Sequence, residues 1–285
     1  MYGFNGKILR VNLSTRSFAS EPLDSKRAAL YLGGRGLGTR MFADEVSPTV
    51  DALGPDNKLM LFTGPLTGTT APTSGRYMAV TKSPLTGTIA SSNSGGFFGA
   101  ELKFAGWDAI ILEGVSPTPV YINIVDDKVE ILDAGHLWGT LLSEATGVLE
   151  EKHGKKARIL AIGPAGEKRS LMAAIMNDRW RAAGRSGVGA VMGSKKLKAI
   201  VVKGSTRVAV ADPAALKEVN SRVMKKMKEN GVTGQGLPAY GTAVLVNIIN
   251  ENGVLPTNNF QFGSFAKADE ISGETLAAKY PKKKD

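Results

Sequence analysis

The sequence predicts an α+β fold. An internally duplicated, β-rich N-terminal domain with pseudo-twofold symmetry covers residues 1–207, and an incomplete α-helical segment, the truncated start of a helical domain, covers residues 208–285. Three observations carry this. Short apolar runs such as Leu59 to Phe62 and Ala109 to Leu112, each followed by Gly or Pro, have the length and composition of buried strands. Their order recurs, since Arg158-Ile159-Leu160-Ala161-Ile162-Gly163-Pro164 restates Lys58 to Pro65 and Ala199 to Gly204 lies on Ala109 to Gly114 position for position. The character then changes at Asp212-Pro213, an N-cap and N1 pair ahead of helical apolar spacing from Ala214 to Glu229.

Taken in order, Gly6 to Leu13 alternates apolar and polar residues, and Ser17 to Pro22 is its antiparallel partner across the Ser14-Thr15-Arg16 turn. Asp24 or Ser25 caps a helix through Leu32 that Gly33-Gly34 ends, and another short helix runs from Arg35 towards Ala43. Strands follow at Lys58 to Phe62 and Tyr77 to Thr81, with a Thr-, Pro- and Gly-rich loop between them. Gly96 to Lys103 is a short helix, Ala109 to Gly114 a strand, and Val120 to Val125 with Lys128 to Leu132 a hairpin about Asp126-Asp127. Ser143 to His153 suits a helix stopped by Gly154. In the second copy, Leu171 to Ile175 restates the strand at Tyr77, Ser186-Gly187 restates Ser94-Gly95, and Gly193 restates Gly99. Beyond it, a helix is expected over Thr242 to Asn252, and two helices with the 258–268 loop make too small a core to stand without a partner.

Composition narrows the function. The 285 residues carry a formal charge of +10, which calls for an anionic partner. No basic stripe interleaved with aromatics and no recognition helix accompanies that charge, so nucleic acid is disfavoured, and Lys282 to Lys284 read as a solvated tail. With no cysteine, the chain offers no disulfide, thiolate zinc site or cysteine-ligated iron–sulfur cluster. No apolar run approaches a membrane span and Met1 leads into polar sequence, so a cytoplasmic location without membrane contact is expected.

The candidate site is a pair of glycine-rich runs. Ser92-Asn93-Ser94-Gly95-Gly96-Phe97-Phe98-Gly99, with Arg76 upstream, and Arg181-Ala182-Ala183-Gly184-Arg185-Ser186-Gly187 join exposed backbone to Arg, Asn or Ser ahead of a short helix. That is what a phosphate-bearing ligand needs, and the duplication makes the runs two halves of one anion site. Taken singly, Arg76 serves equally as a surface ion-pair partner, and Asn93 serves equally as an Asx turn or as an oxygen donor to Mg²⁺. His136 and His153 are not at ligand spacing, and Gly187 to Gly193 fails as a dinucleotide fingerprint because the next strand arrives too soon for a crossover helix.

Gly64-Pro65-Leu66-Thr67-Gly68-Thr69, Ser74-Gly75-Arg76-Tyr77, Lys82 to Gly87, Ala90 to Gly96 and Met176 to Lys195 closely resemble the N-terminal domain of the tungsten-containing aldehyde:ferredoxin oxidoreductases. Leu237 to Val244 and Asn250 to Gly253 resemble the opening of that family's second, helical domain. The resemblance implies a tungsten (or molybdenum) ion held by two pyranopterin dithiolenes, the molybdopterin-type ligand, with phosphates joined through Mg²⁺ and a [4Fe–4S] cluster nearby. By motif position it assigns Arg76, Asn93, Ser94 and Gly95 to one pterin and Arg181, Ala182, Ala183, Gly184 and Arg185 to the other, with Asn93 and Ala183 offering oxygens to Mg²⁺. It implies aldehyde oxidation to carboxylate with electrons passed to ferredoxin. It assigns no catalytic residue here, because the cluster cysteines and catalytic domains of the family follow the segment that in this chain reads Pro281-Lys282-Lys283-Lys284-Asp285. The expectation is therefore a cofactor-binding portion, inactive without a separate chain carrying the C-terminal domains. The alternatives are a non-catalytic phosphate-ester or pterin-binding module and a truncated reading frame.

Overall fold

The computed structural model describes residues 1–280, so the lysine tail lies outside the described residues. The chain divides into two compact units, Met1–Pro213 and Ala214–Asp285.

The first unit is α+β and contains two six-stranded sheets of matching order. In the first, β1 (Lys7–Asn12) and β2 (Ser17–Pro22) form the hairpin, and β3 (Leu59–Thr63), β4 (Tyr77–Lys82), β5 (Ile89–Ser94) and β6 (Ala109–Glu113) complete the order β2-β1-β6-β3-β4-β5. In the second, β7 (Val120–Val125), β8 (Lys128–Asp133), β9 (Arg158–Ala161), β10 (Ile175–Asn177), β11 (Arg181–Ala183) and β12 (Leu197–Lys203) give β11-β10-β9-β12-β7-β8. Read from its other edge, that is the first sheet again. Each sheet holds one parallel pair, β1 with β6 and β7 with β12, and is otherwise antiparallel. The repeat thus reaches back to the two hairpins, further than the glycine motifs reveal, because a hairpin's alternation is too generic to mark it as a copy.

Helices α1 (Ser25–Tyr31) and α2 (Gly34–Glu45) follow the first hairpin; the Asp24 carboxylate caps α1 by accepting from Lys26 N at 2.8 Å. Helix α3 (Phe98–Phe104) precedes β6. In the second copy α4 (Leu142–His153) follows the hairpin, a short α5 (Pro164–Glu167) replaces the 66–75 loop, and α6 (Val188–Ser194) precedes β12. The main core lies between the sheets and takes Leu61, Phe98 and Ile110 from one copy and Leu160, Val191 and Ile200 from the other. The outer faces carry Phe42 of α2 against Phe62 and Leu149 of α4 against Ile159.

Two strands are added and three expectations corrected. Residues Ile89–Ser94 and Arg181–Ala183, given no element from sequence, are strands: Ser-Ser-Asn-Ser and Arg-Ala-Ala lack apolar alternation, and each pairs as an edge strand laddered to its neighbour. The second-copy strand starts at Ile175 and not at Leu171, and Leu171 and Met172 are exposed in the turn before it. Gly189, the second residue of α6, stands where Gly99 stands in α3, and Gly193 does not. The Thr242–Asn252 helix is split into a 3-10 turn, Gly241–Val244, and an α-helix, Leu245–Glu251, at the point where Gly273 packs on the turn's backbone.

The second unit contains α7 (Pro213–Glu229, beginning on the last residue of the first unit), α8 (Leu237–Tyr240), α9 (Leu245–Glu251) and α10 (Gly273–Lys279). Among its described residues Ala268 is the one buried hydrophobic side chain, and Val223 and Met224 of α7, Ile248 of α9 and Leu276 of α10 are exposed. No helix among the described residues is long and apolar enough to cross a membrane.

Candidate functional site

The two glycine-rich runs meet where edge strands β5 and β11 come together. Period-two alternation in β5 sends Ser92 and Ser94 to the buried face and leaves Ser91 and Asn93 half-exposed on the other. The copies are sewn together by polar contacts across this line. Ser92 Oγ accepts from Arg185 N at 3.0 Å, Ser83 Oγ donates to Ser186 O at 2.9 Å, and Asp178 Oδ2 accepts from Phe97 N at 2.8 Å. The Asn177 amide donates to Gly95 O, while its own Oδ1 is buried without a partner among the described residues. Gly96 has to be glycine here: its φ is +88°, and a Cβ would stand 2.8 Å from Asn177 Nδ2 and 2.9 Å from Asp178 Oδ2.

Above this seam opens a cleft of about 510 Å³ lined by Arg35, Ser91, Asn93, Ala182, Gly184 and Arg185. Of the residues predicted from sequence, Asn93, Ala182, Gly184 and Arg185 line it. Arg76 joins them through Asn93, donating from Nη1 to Oδ1 at 2.5 Å. Gly95 has open space over it, with nothing within 4 Å of a built Cβ. Arg181 is exposed at the start of β11, beside Gly96. Ser94 is buried with its hydroxyl on Gly95 O, and Ala183 is fully buried, so neither lines the cleft. Sequence reasoning missed Arg35 and Ser91. The Gly-Gly-Arg-Gly context of Arg35 and the position of Ser91 within the quoted Ala90 to Gly96 stretch were the available signals.

No acidic side chain lines the cleft, and among the described residues Arg35, Arg76, Arg181 and Arg185 form no ion pair with a carboxylate. Elsewhere the protein pairs its cations closely: Arg10 is met by Glu21 at 2.6 Å and Lys103 by Asp108 at 2.6 Å. Unneutralised guanidinium groups beside open backbone make a site for a bulky polyanion. No group of His, Cys, Asp or Glu among the described residues could hold a metal by side chains alone. Residues 8–204 match the family model described as the N-terminal domain of aldehyde ferredoxin oxidoreductase.

The chain belongs to the aldehyde ferredoxin oxidoreductase family.

The model for domains 2 and 3 of aldehyde ferredoxin oxidoreductase matches residues 218–285. A tungsten-containing aldehyde ferredoxin oxidoreductase of Pyrococcus horikoshii is 58% identical over 98% of the chain and 46% of its own length. The one of Pyrococcus furiosus is 56% identical over the same shares, so the chain spans about half the length of these relatives. The aliphatic sulfonate oxidoreductase WOR-like subunit of Pyrococcus furiosus is 39% identical over 72% of the chain and 35% of its own length. Among solved structures, the BamBC active-site complex of benzoyl coenzyme A reductase, in complex with 1,5-dienoyl-CoA, superposes with a TM-score of 0.83 at 33% identity, over 98% of this chain and 44% of that one.

In this aldehyde ferredoxin oxidoreductase domain the end of α6, the helix that follows the second run, is tied to the other copy by Lys195. Its Nζ, fully buried, donates to Asn57 O at 2.5 Å and Gly114 O at 3.1 Å in the other copy. Burial pushes the Lys195 ammonium down to about 8, and no carboxylate pairs with it among the described residues. A lowered lysine is penalised in the folded state only while charged. Its contribution to stability is absent below pH about 8 and gained as pH rises from there to the unfolded value near 10.4. The expected gain across that window is up to ~3 kcal/mol. Urea midpoints taken between pH 7.5 and 9.5 should rise for the wild type relative to Lys195→Met. Parallel curves would show that the ammonium is not the cause.

Proposed function

We propose that this chain is the cofactor base of an aldehyde ferredoxin oxidoreductase-type enzyme, holding a tungsten bis-pyranopterin in the cleft between its two copies. The observation that carries the reading is the set of arginines without carboxylate partners gathered on a seam of open backbone. The chemistry of the donor set fits the group: guanidinium forks suit phosphate esters, and a two-copy cleft suits a ligand with two similar halves. Arg76, Asn93 and Gly95 would hold one pterin, and Arg181 to Arg185 the other. Asn93 and Ala183 would offer Mg²⁺ their backbone oxygens, since the Asn93 amide oxygen already accepts from Arg76 and alanine has no other oxygen.

When bound, the tungsten cofactor supplies the redox centre for converting an aldehyde to a carboxylate with electrons leaving to ferredoxin. The chain's own residues anchor phosphates and orient the pterins by charge and hydrogen bonding. Aldehyde as substrate rests on the relatives named for it. The aliphatic sulfonate oxidoreductase subunit and the benzoyl coenzyme A reductase complex are similar over the same base, so substrate choice belongs to the rest of the family's length, whichever polypeptide carries it. The [4Fe–4S] cluster would likewise be held there, because this chain has no cysteine.

The test is calorimetric titration of neopterin triphosphate, a pterin phosphate ester, into the wild type and the Arg76→Ala/Arg185→Ala double variant. Two charge-assisted anchors lost should weaken binding by roughly 100-fold or more. Equal affinity would overturn the reading. Tungsten retained after co-expression with the family's C-terminal half, and aldehyde-dependent dye reduction, separate an enzyme base from a non-catalytic binding module.

A further inference from the structure

We infer that Arg35, carried on α2, binds a phosphate-ester oxygen in the cleft and makes the clamp asymmetric between the two copies; this rests on the reading of the cleft as the cofactor's anion site. Arg35 and Arg185 both line the cleft, one from each copy, with Ser91, Asn93, Ala182 and Gly184 completing its lining. Among the described residues Arg35 has no carboxylate partner, although its neighbours on α1 and α2, Arg27 and Arg40, both reach Asp44.

Its geometry is set by a serine. Ser91 Oγ accepts from Arg35 Nε at 3.1 Å and directs its own proton to Met78 Sδ at 3.9 Å. With Nε occupied, the two Nη groups of the fork remain for an anion. Asn93, two residues along the same face of β5, accepts through Oδ1 from Nη1 of Arg76. The first copy therefore brings two arginines to one strip of edge strand, one from a helix and one from the loop before β4.

The second copy has no counterpart of Arg35. Helix α4 occupies the place of α2, between hairpin and inner strand, and opens with Leu141, Leu142, Ser143 and Glu144. Glu144 is turned to its own helix, accepting from Leu141 N at 3.1 Å. A ligand with two similar halves would thus meet a helix-borne arginine on one side only, and that arginine gives the two halves unequal anchoring.

The test uses inorganic pyrophosphate titrated into the full chain at low ionic strength, with folding checked by circular dichroism. Arg35 is exposed, so its replacement should leave the fold intact. Arg35→Ala should weaken binding roughly 10- to 100-fold, as expected for losing a charge-assisted anchor. Arg35→Lys should restore only part, because a point charge cannot fork. Arg40→Ala, on the same helix but paired with Asp44, should bind as the wild type does. If Arg35→Ala stays within about twofold while Arg185→Ala weakens binding, the role of Arg35 falls and the cofactor cleft stands. If the wild type does not bind, or no replacement of Arg35, Arg76 or Arg185 matters, both fall.

Discussion

Asp108→Ala is expected to cost about 3–5 kcal/mol of stability, because it strands a buried ammonium and unties the N-terminal segment at once. Lys103 is fully buried at the end of α3, and its ion pair with Asp108 is 2.6 Å long. Burial lowers the Lys103 ammonium below the ordinary lysine range, and the Asp108 carboxylate opposes that fall. The same carboxylate accepts from Asn5 N at 3.0 Å, Gly6 N at 2.7 Å and Lys7 N at 3.3 Å, anchoring the residues that feed β1 into the sheet beside β6. Without it Lys103 keeps only the Gly3 carbonyl at 2.7 Å and the Phe4 ring at 5.0 Å. Asp108→Ala/Lys103→Met should recover much of the loss, since removing both charges removes the stranded one. Urea unfolding of the three proteins decides it. A loss below about 1 kcal/mol in the single variant would mean that water reaches Lys103 and that the pair is not buried in solution.

Much of this frame is legible in the sequence, for a reason particular residues make plain. Strands Leu59–Thr63 and Leu197–Lys203 are covered on both faces, so their centres, Leu59 to Phe62 and Ala199 to Val202, are apolar and announce themselves as short runs ahead of a glycine. The cleft is legible only in part. Asn93 and Arg185 stand out by residue type beside glycine, but β5 and β11 do not read as strands, because an edge strand made of Ser, Asn and Ala follows its neighbour's backbone and not its own side chains. Arg35 was hidden differently: it is distant in the chain from both runs and reaches the site only through the packing of α2 on β3 and β4. Lys103, Lys195 and Lys198 are fully buried, against every compositional expectation for lysine, and nothing local predicts the carbonyls and carboxylates that receive them.

Gly193→Ala should be damaging to both fold and ligand binding. All seven residues of α6 are buried, and a Cβ on Gly193 would fall on the carbonyl oxygen of Gly166 in α5. Gly166 is also close from its side, with Ile162 Cβ 2.8 Å and Gly189 O 3.0 Å from a built Cβ, so neither helix can yield without moving the other. The obstruction is backbone, which no rotamer change relieves, and overpacking of this kind costs about 3 kcal/mol or more. The consequence reaches the cleft because α6 follows directly on the Arg181–Gly187 run. A helix pushed away from α5 carries the Arg185 backbone off Ser92 Oγ, the contact that joins the two copies at 3.0 Å. Affinity for pyrophosphate should therefore fall with stability, although Gly193 does not line the cleft. Gly163→Ala is the comparison: it lies just before α5 at φ −94° with nothing within 4 Å of a built Cβ, and it should change neither quantity measurably. If Gly193→Ala melts with the wild type and binds pyrophosphate equally well, the two helices are not in the close contact described, and the second run owes its shape to something other than their packing.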